Sequence, residues 1–324
     1  MTKRSFALVL MLPTLLQGQR PVHTYSIVAR DSATGQLGVA VQSHWFSVGS
    51  LVTFAEAGVG AVATQSFIDP AYGPLGLELM RAGKTAQEAL KGLLAADPGV
   101  DVRQVAFVDA KGNVAAHTGS KAIEAAGHIL GRGYSVQANL MHKPTVPAAM
   151  ARAYENTKGD LAERMLAALE AAQREGGDIR GKQSAAILIV NARSTGRPWA
   201  DKAFDLRVED HPEPLQELRR LIHLARAYAH MNAGDEALTR NDVEGALREY
   251  SAAQKMVTDQ QTNGEMAFWH AVTLVGVNRF DEALPLFRRA FVQDPRWREL
   301  VPRLPKAGAL PDNPALIKRI VDIR

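Results

Sequence analysis

Hydroxyl, amide and imidazole side chains stand at the ends of several apolar runs of this sequence, where a sheet would present them as reacting groups. Thr24 and Ser26 open the first run two residues apart, so a strand there carries both hydroxyls on one face. Gln42, Ser43 and His44 close the second run, Gln65 and Ser66 close another, and His117 and Thr118 end a fourth. Tyr134, Gln137 and Asn139 are interleaved with apolar residues further on. Cleaving an amide needs donors that hold an oxyanion and polar groups that converge near a nucleophile, which these residue types supply. For His117 a hydrogen-bonded structural histidine is an equal reading. Asp205 and Arg207, also two apart, predict an ion pair on one strand face.

The chain has no cysteine, which excludes disulfides, thiolate metal sites and a cysteine nucleophile. It has no His-Glu-x-x-His helix, and His223 and His230 are spaced for a shared helix face but not as a metal pair. No metal and no cofactor is therefore expected. Basic and acidic residues number 38 and 34 and are interspersed, without zinc-finger spacing, a Walker loop or an aromatic-basic repeat, so nucleic acid is not an expected partner.

The elements that must position these groups follow from periodicity. Tyr25 to Arg30 and Gln36 to Gln42 flank a turn at Asp31 to Gly35, which predicts a hairpin, and Val102 to Val108 with Val114 to Thr118 predicts a second. Further strands are expected at 51–54, 59–64, 134–138, 184–190 and 204–208. Pro70, Gly73 and Pro74 punctuate the chain before a helix near 75–82. Thr85 and Glu88 form a capping box for the next helix, which Asp97-Pro98-Gly99 stops. Apolar spacing predicts helices at 146–154 and 161–173. Strands, a block of helices, then strands again make an α+β fold with two sheets between helices.

At 324 residues there is room for about two domains. The prolines of His211-Pro212-Glu213-Pro214 mark the boundary, and an amphipathic helix follows from Leu215 to His230. Gly234, Ala246, Tyr250 and Ala253 are echoed by Ala271, Ala283, Phe287, Ala290 and Pro295, a pattern similar to tetratricopeptide repeats. Ahead of the first strand, Lys3 and Arg4 precede an apolar stretch from Phe6 to Leu16 that is too short for a bilayer span and reads as a signal peptide within residues 1–22. The expectation is export to the periplasm or beyond, with the cytoplasm as the location if this leader does not function.

Five segments, Thr24 to Asp31, Gly58 to Gln65, Ala116 to Gly119, Gly133 to Leu140 and Gly181 to Ala186, occur in an order that resembles the bacterial family called domain of unknown function 1028. The likeness covers nearly all of Thr24 to His211. It implies a four-layer αββα sandwich of the Ntn-hydrolase superfamily over 24–211, followed by a small all-α helical-repeat domain over 215–324 that is similar to a peptidoglycan-binding module of some members. It also implies a hydroxyl nucleophile that is its own base: in an Ntn hydrolase the first residue's α-amine, with an ordinary pKa near 8, takes the hydroxyl proton. The matching residue is Thr24, with Ser26 in reserve and Ser43, His44, Gln65, His117 and Asn139 as supporting residues. Residues precede Thr24, so a cut between His23 and Thr24 is required. Relatives such as the proteasome carry a lysine on the third strand, whereas 52–56 holds none.

Two functions of different class compete. One is an exported hydrolase of an amide or related C–N bond in a small molecule or peptide. The other is a non-catalytic protein whose sandwich holds a ligand and whose helices dock a protein or cell-wall peptidoglycan. A third reading has the exposed helical face join copies of the chain into a homo-oligomer.

Overall fold

The computed structural model describes residues 24–324, so the leader expected within 1–22 lies outside the described residues. The chain divides into two compact units, the second being Arg219–Arg324.

In the first unit β1 (Thr24–Arg30) and β2 (Leu37–Ser43) form the expected hairpin in one unbroken register, Thr24 opposite Ser43 and Arg30 opposite Leu37. Asp31 makes the turn, its Oδ1 accepting the backbone N–H groups of Ala33 and Thr34 at 2.9 and 2.7 Å. A single helical turn, α1 (Gly49–Val52), then leads into β3 (Thr53–Glu56) and β4 (Gly60–Ser66). The strand expected over 51–54 starts only at Thr53: Leu51 and Val52 lie in that turn, whose carbonyl at Gly49 accepts the Thr53 hydroxyl at 2.7 Å.

Next come α2 (Tyr72–Arg81), α3 (Ala86–Ala96), β5 (Arg103–Asp109) and β6 (Val114–Thr118). The capping box of α3 is present: Glu88 N–H donates to the Thr85 hydroxyl at 3.2 Å and Thr85 N–H to the Glu88 carboxylate at 2.8 Å. The unit closes with β7 (Gly127–Gly131), β8 (Tyr134–Ala138), α4 (Val146–Asn156), α5 (Leu161–Arg174), β9 (Ser184–Val190) and β10 (Lys202–Val208). Asp205 and Arg207 do pair, at 3.3 Å.

The strands make two antiparallel sheets, one of order β10-β9-β2-β1-β8-β7 and one of order β3-β4-β5-β6. Helices α4 and α5 pack on the larger sheet, α2 and α3 on the smaller, and β1 and β2 lie against β4 and β5. Val28, Val39, Val41, Ala61, Ala63, Ala106 and Val108 fill the layer between the sheets and are buried.

In the second unit α6 (Pro214–Thr239), which starts before the division, is followed by α7 (Val243–Met256), α8 (Glu265–Gly276), α9 (Phe280–Gln293), α10 (Arg296–Leu300) and α11 (Pro314–Val321). Ala246, Tyr250 and Ala253 of α7 and Ala283, Phe287 and Ala290 of α9 are buried at matching positions of two helices. Gly234 lets the Tyr250 ring approach closely, since a Cβ there would stand 2.4 Å from it. Among the described residues no helix is long and apolar enough to cross a membrane.

Candidate functional site

Along the layer between the sheets, packing changes from apolar to polar at one end. The register explains why. Ser184, Ser43 and Thr24 are consecutive partners across β9, β2 and β1, and Asn139 just beyond β8 donates its backbone N–H to the Thr24 carbonyl at 3.1 Å. One step inward, Ser26 is paired with Gln137, and Gln137 with His128. On the smaller sheet Gln65, Gln104 and Thr118 are likewise consecutive partners. Whereas the Ser184 hydroxyl donates to the Trp45 carbonyl and accepts the Val48 N–H, period-two side chains at Thr24, Ser26, Ser43, Gln65, Gln104 and Gln137 meet with Asn139 in one buried cluster edged by the half-buried Thr118 and His128.

Every hydroxyl and amide at its heart is hydrogen-bonded. The Ser26 hydroxyl donates to Gln65 Oε1 and accepts from Gln137 Nε2, both at 2.6 Å. Gln65 Nε2 donates to Gln104 Oε1 at 2.6 Å and to the Thr24 carbonyl at 3.1 Å. Asn139 Nδ2 also reaches Gln104 Oε1, at 2.8 Å, while Gln104 Nε2 holds the Thr118 hydroxyl and the Ala138 carbonyl at 2.9 Å each. Thr24 is wholly buried and its hydroxyl donates to Ser43 Oγ at 3.2 Å.

A buried amide left unpaired costs roughly 1–3 kcal/mol, so the cluster is tolerable only as a connected whole. Backbone strain flanks it: Ser66 and Leu140, the residues after Gln65 and Asn139, adopt left-handed φ angles of 71° and 55°. Side chains with a Cβ rarely take that conformation, and such strain gathers at functional positions. Ser66 Oγ is buried without a hydrogen-bond partner, as are both amide atoms of Gln42.

The charges near the Thr24 end are fixed. Asp178 is buried, accepts the His44 backbone N–H at 3.1 Å and is held by Arg180 at 2.7 Å. Tyr25 faces the helices instead, donating to Gln173 at 2.9 Å, and burial, then the Asp178 charge, pushes its hydroxyl pKa well above the ordinary value. His128 Nδ1 lies 2.8 Å from the Thr118 hydroxyl; burial, then nearby His117, lowers its pKa and favours the neutral ring. Among the described residues no three His, Asp or Glu side chains group as metal ligands.

The family model for the family of unknown function DUF1028 matches residues 24–218. The chain belongs to this family. A solved DUF1028 protein from Silicibacter pomeroyi is similar at 29% identity and a TM-score of 0.56, over 63% of this chain and 89% of that one. No curated protein matches the chain.

Within the DUF1028 region, Thr24, Ser26, Ser43, Gln65 and Asn139 come together as one cluster. His44 follows Ser43 at the same end, but its side chain is exposed and its contact is through the backbone. His117 does not join them. It is paired with Val105, which faces the helices, and its Nε2 is bonded to the Val100 carbonyl at 2.8 Å, so the alternation of β6 turns it away while Thr118 points inward. Gln104, His128 and Asp178 also belong to this end of the unit, beyond the residues that the sequence pattern marks. For Gln104 a signal existed, a lone amide on the inward face of a strand whose other inward residues are Ala106 and Val108.

Proposed function

We propose that the DUF1028 region is an exported hydrolase of an amide or related C–N bond, that residues 24–211 form the four-layer αββα sandwich of Ntn hydrolases, and that Thr24 is the nucleophile once the His23–Thr24 bond is cut. The observation that carries this reading is the setting of Thr24. It heads the central hairpin, its hydroxyl is aimed at Ser43 Oγ, and its carbonyl is clamped by Asn139 and Gln65.

In the cut chain the α-amine takes the proton of the Thr24 hydroxyl as the oxygen attacks the substrate carbonyl. The C–N bond then breaks, the proton passes to the departing amine, and water hydrolyses the ester left on Thr24. In the uncut chain there is no free α-amine, so the Thr24 hydroxyl adds to the His23 carbonyl, the C–N bond breaks as the hydroxyl proton passes to that nitrogen, and hydrolysis of the resulting ester completes release of the amine. The polar cluster acts by positioning, fixing the backbone of Thr24 so that the hydroxyl has one orientation.

Full burial of Thr24 and Ser26 favours a second reading, in which the cluster is internal structure and the protein binds without catalysis. Acylation by a β-lactone, followed by peptide mass mapping, separates the two. Catalysis predicts an acyl group on Thr24, retained reactivity in Thr24→Ser, and loss by about 10³-fold or more in Thr24→Ala. Equal labelling of the wild-type chain and Thr24→Ala, or none in either, leaves only the binding reading.

A further inference from the structure

The second unit holds a cavity of about 670 Å³ that is remote in sequence from Thr24 and has a distinct chemistry. Tyr228, Met231 and Asp235 reach it from one stripe of α6, Glu265 and Trp269 from one stripe of α8, and Tyr250 from α7. Its volume lies within the roughly 300–1,000 Å³ typical of small-molecule sites. Its walls are mainly apolar and aromatic, yet it carries two carboxylates and, among the described residues lining it, no lysine, arginine or histidine.

Both carboxylates are oriented by tyrosines. The Tyr228 hydroxyl donates to Glu265 Oε2 at 2.5 Å, and the Tyr250 hydroxyl to Asp235 Oδ1 at 2.6 Å. Burial, then the bond to Glu265, raises the Tyr228 pKa to about 12, which keeps that hydroxyl a donor. Each carboxylate retains lone pairs for a further donor, because an ionised carboxylate offers about four acceptor sites. Aromatic faces attract cations through the ring quadrupole, most strongly for tryptophan.

We propose that this cavity binds a small organic ammonium ion with an apolar body, the charge lying between Asp235 and Glu265 and the body against Trp269 and Met231. An anion would meet two carboxylates and no countercharge, and a neutral apolar ligand would leave the paired charges unused.

The test is isothermal titration of the full chain with phenethylammonium, phenethyl alcohol and hydrocinnamate, three ligands of similar shape and different charge. The ammonium ion should bind at least about tenfold more tightly than the alcohol, a difference of about 1.4 kcal/mol. Its affinity should fall as salt is raised, and hydrocinnamate should not bind. Asp235→Asn with Glu265→Gln keeps an acceptor for each tyrosine and should remove the tenfold preference while leaving the alcohol unchanged. Equal binding of ammonium and alcohol, an unaltered preference in that variant, or no ammonium binding at about 10 mM overturns the proposal.

Discussion

At the scale of single residues, the site rests on amides more than on charges. Gln104 is the hinge of the cluster: it accepts from both Gln65 and Asn139 and donates to Thr118 and Ala138. Gln104→Leu fills similar space but strands those partners without water, so it should cost roughly 2–4 kcal/mol in urea unfolding. A loss under about 1 kcal/mol would show that the amides do not depend on one another. Much of this cluster was legible, because hydroxyls and amides at the ends of apolar runs are conspicuous. Ser43 and Gln65 stand out that way, Asn139 by alternating with apolar residues, and Thr24 with Ser26 through the family resemblance, and the five side chains share one hydrogen-bonded cluster. For His117 the geometry matches the structural of its two readings, and the choice is hidden from sequence for a physical reason: adjacent strand residues face opposite ways, and whether His117 or Thr118 points inward depends on a partner strand that the sequence does not name.

At the scale of elements, both hairpins and the capping box could be read because local chemistry makes them. Asp31 and Asp109 each turn the chain by accepting backbone N–H groups, and Thr85 with Glu88 closes its own helix end. What was hidden is tertiary in origin. Gly73 and Pro74 read as punctuation before a helix, whereas they lie within the first turn of α2. Pro74 needs no hydrogen-bonded N–H there. Gly73 and Gly76 let the helix approach Phe54 and Phe107, where an added Cβ would stand 2.3 and 2.5 Å from the rings. Two effects oppose each other in Gly76→Ala. Alanine gains about 1 kcal/mol in helix propensity, but overpacking against the fully buried Phe107 costs about 1–3 kcal/mol. Net destabilisation of about 1 kcal/mol is expected in thermal or urea unfolding, and a stabilised protein would contradict this packing. Strand β7, with glycines at 127 and 131, leaves no strand signal in the sequence because so few of its residues favour a strand.

At the scale of the whole molecule, the DUF1028 match ends at residue 218, and the division into units falls immediately after it. Helical composition after Pro214 announced the second unit, and the small and aromatic residues of its echoed pattern are indeed buried in α7 and α9. Its cavity was not legible, since it is assembled from stripes of two helices and single residues of others. The catalytic reading requires one covalent event in this long chain: release of the Thr24 amine. Intact mass and amino-terminal sequencing of the protein recovered from its producing cells test that directly. A chain beginning at Thr24, replaced in Thr24→Ala by one that still carries His23, is the predicted result. A wild-type chain that keeps a peptide bond ahead of Thr24 would contradict it.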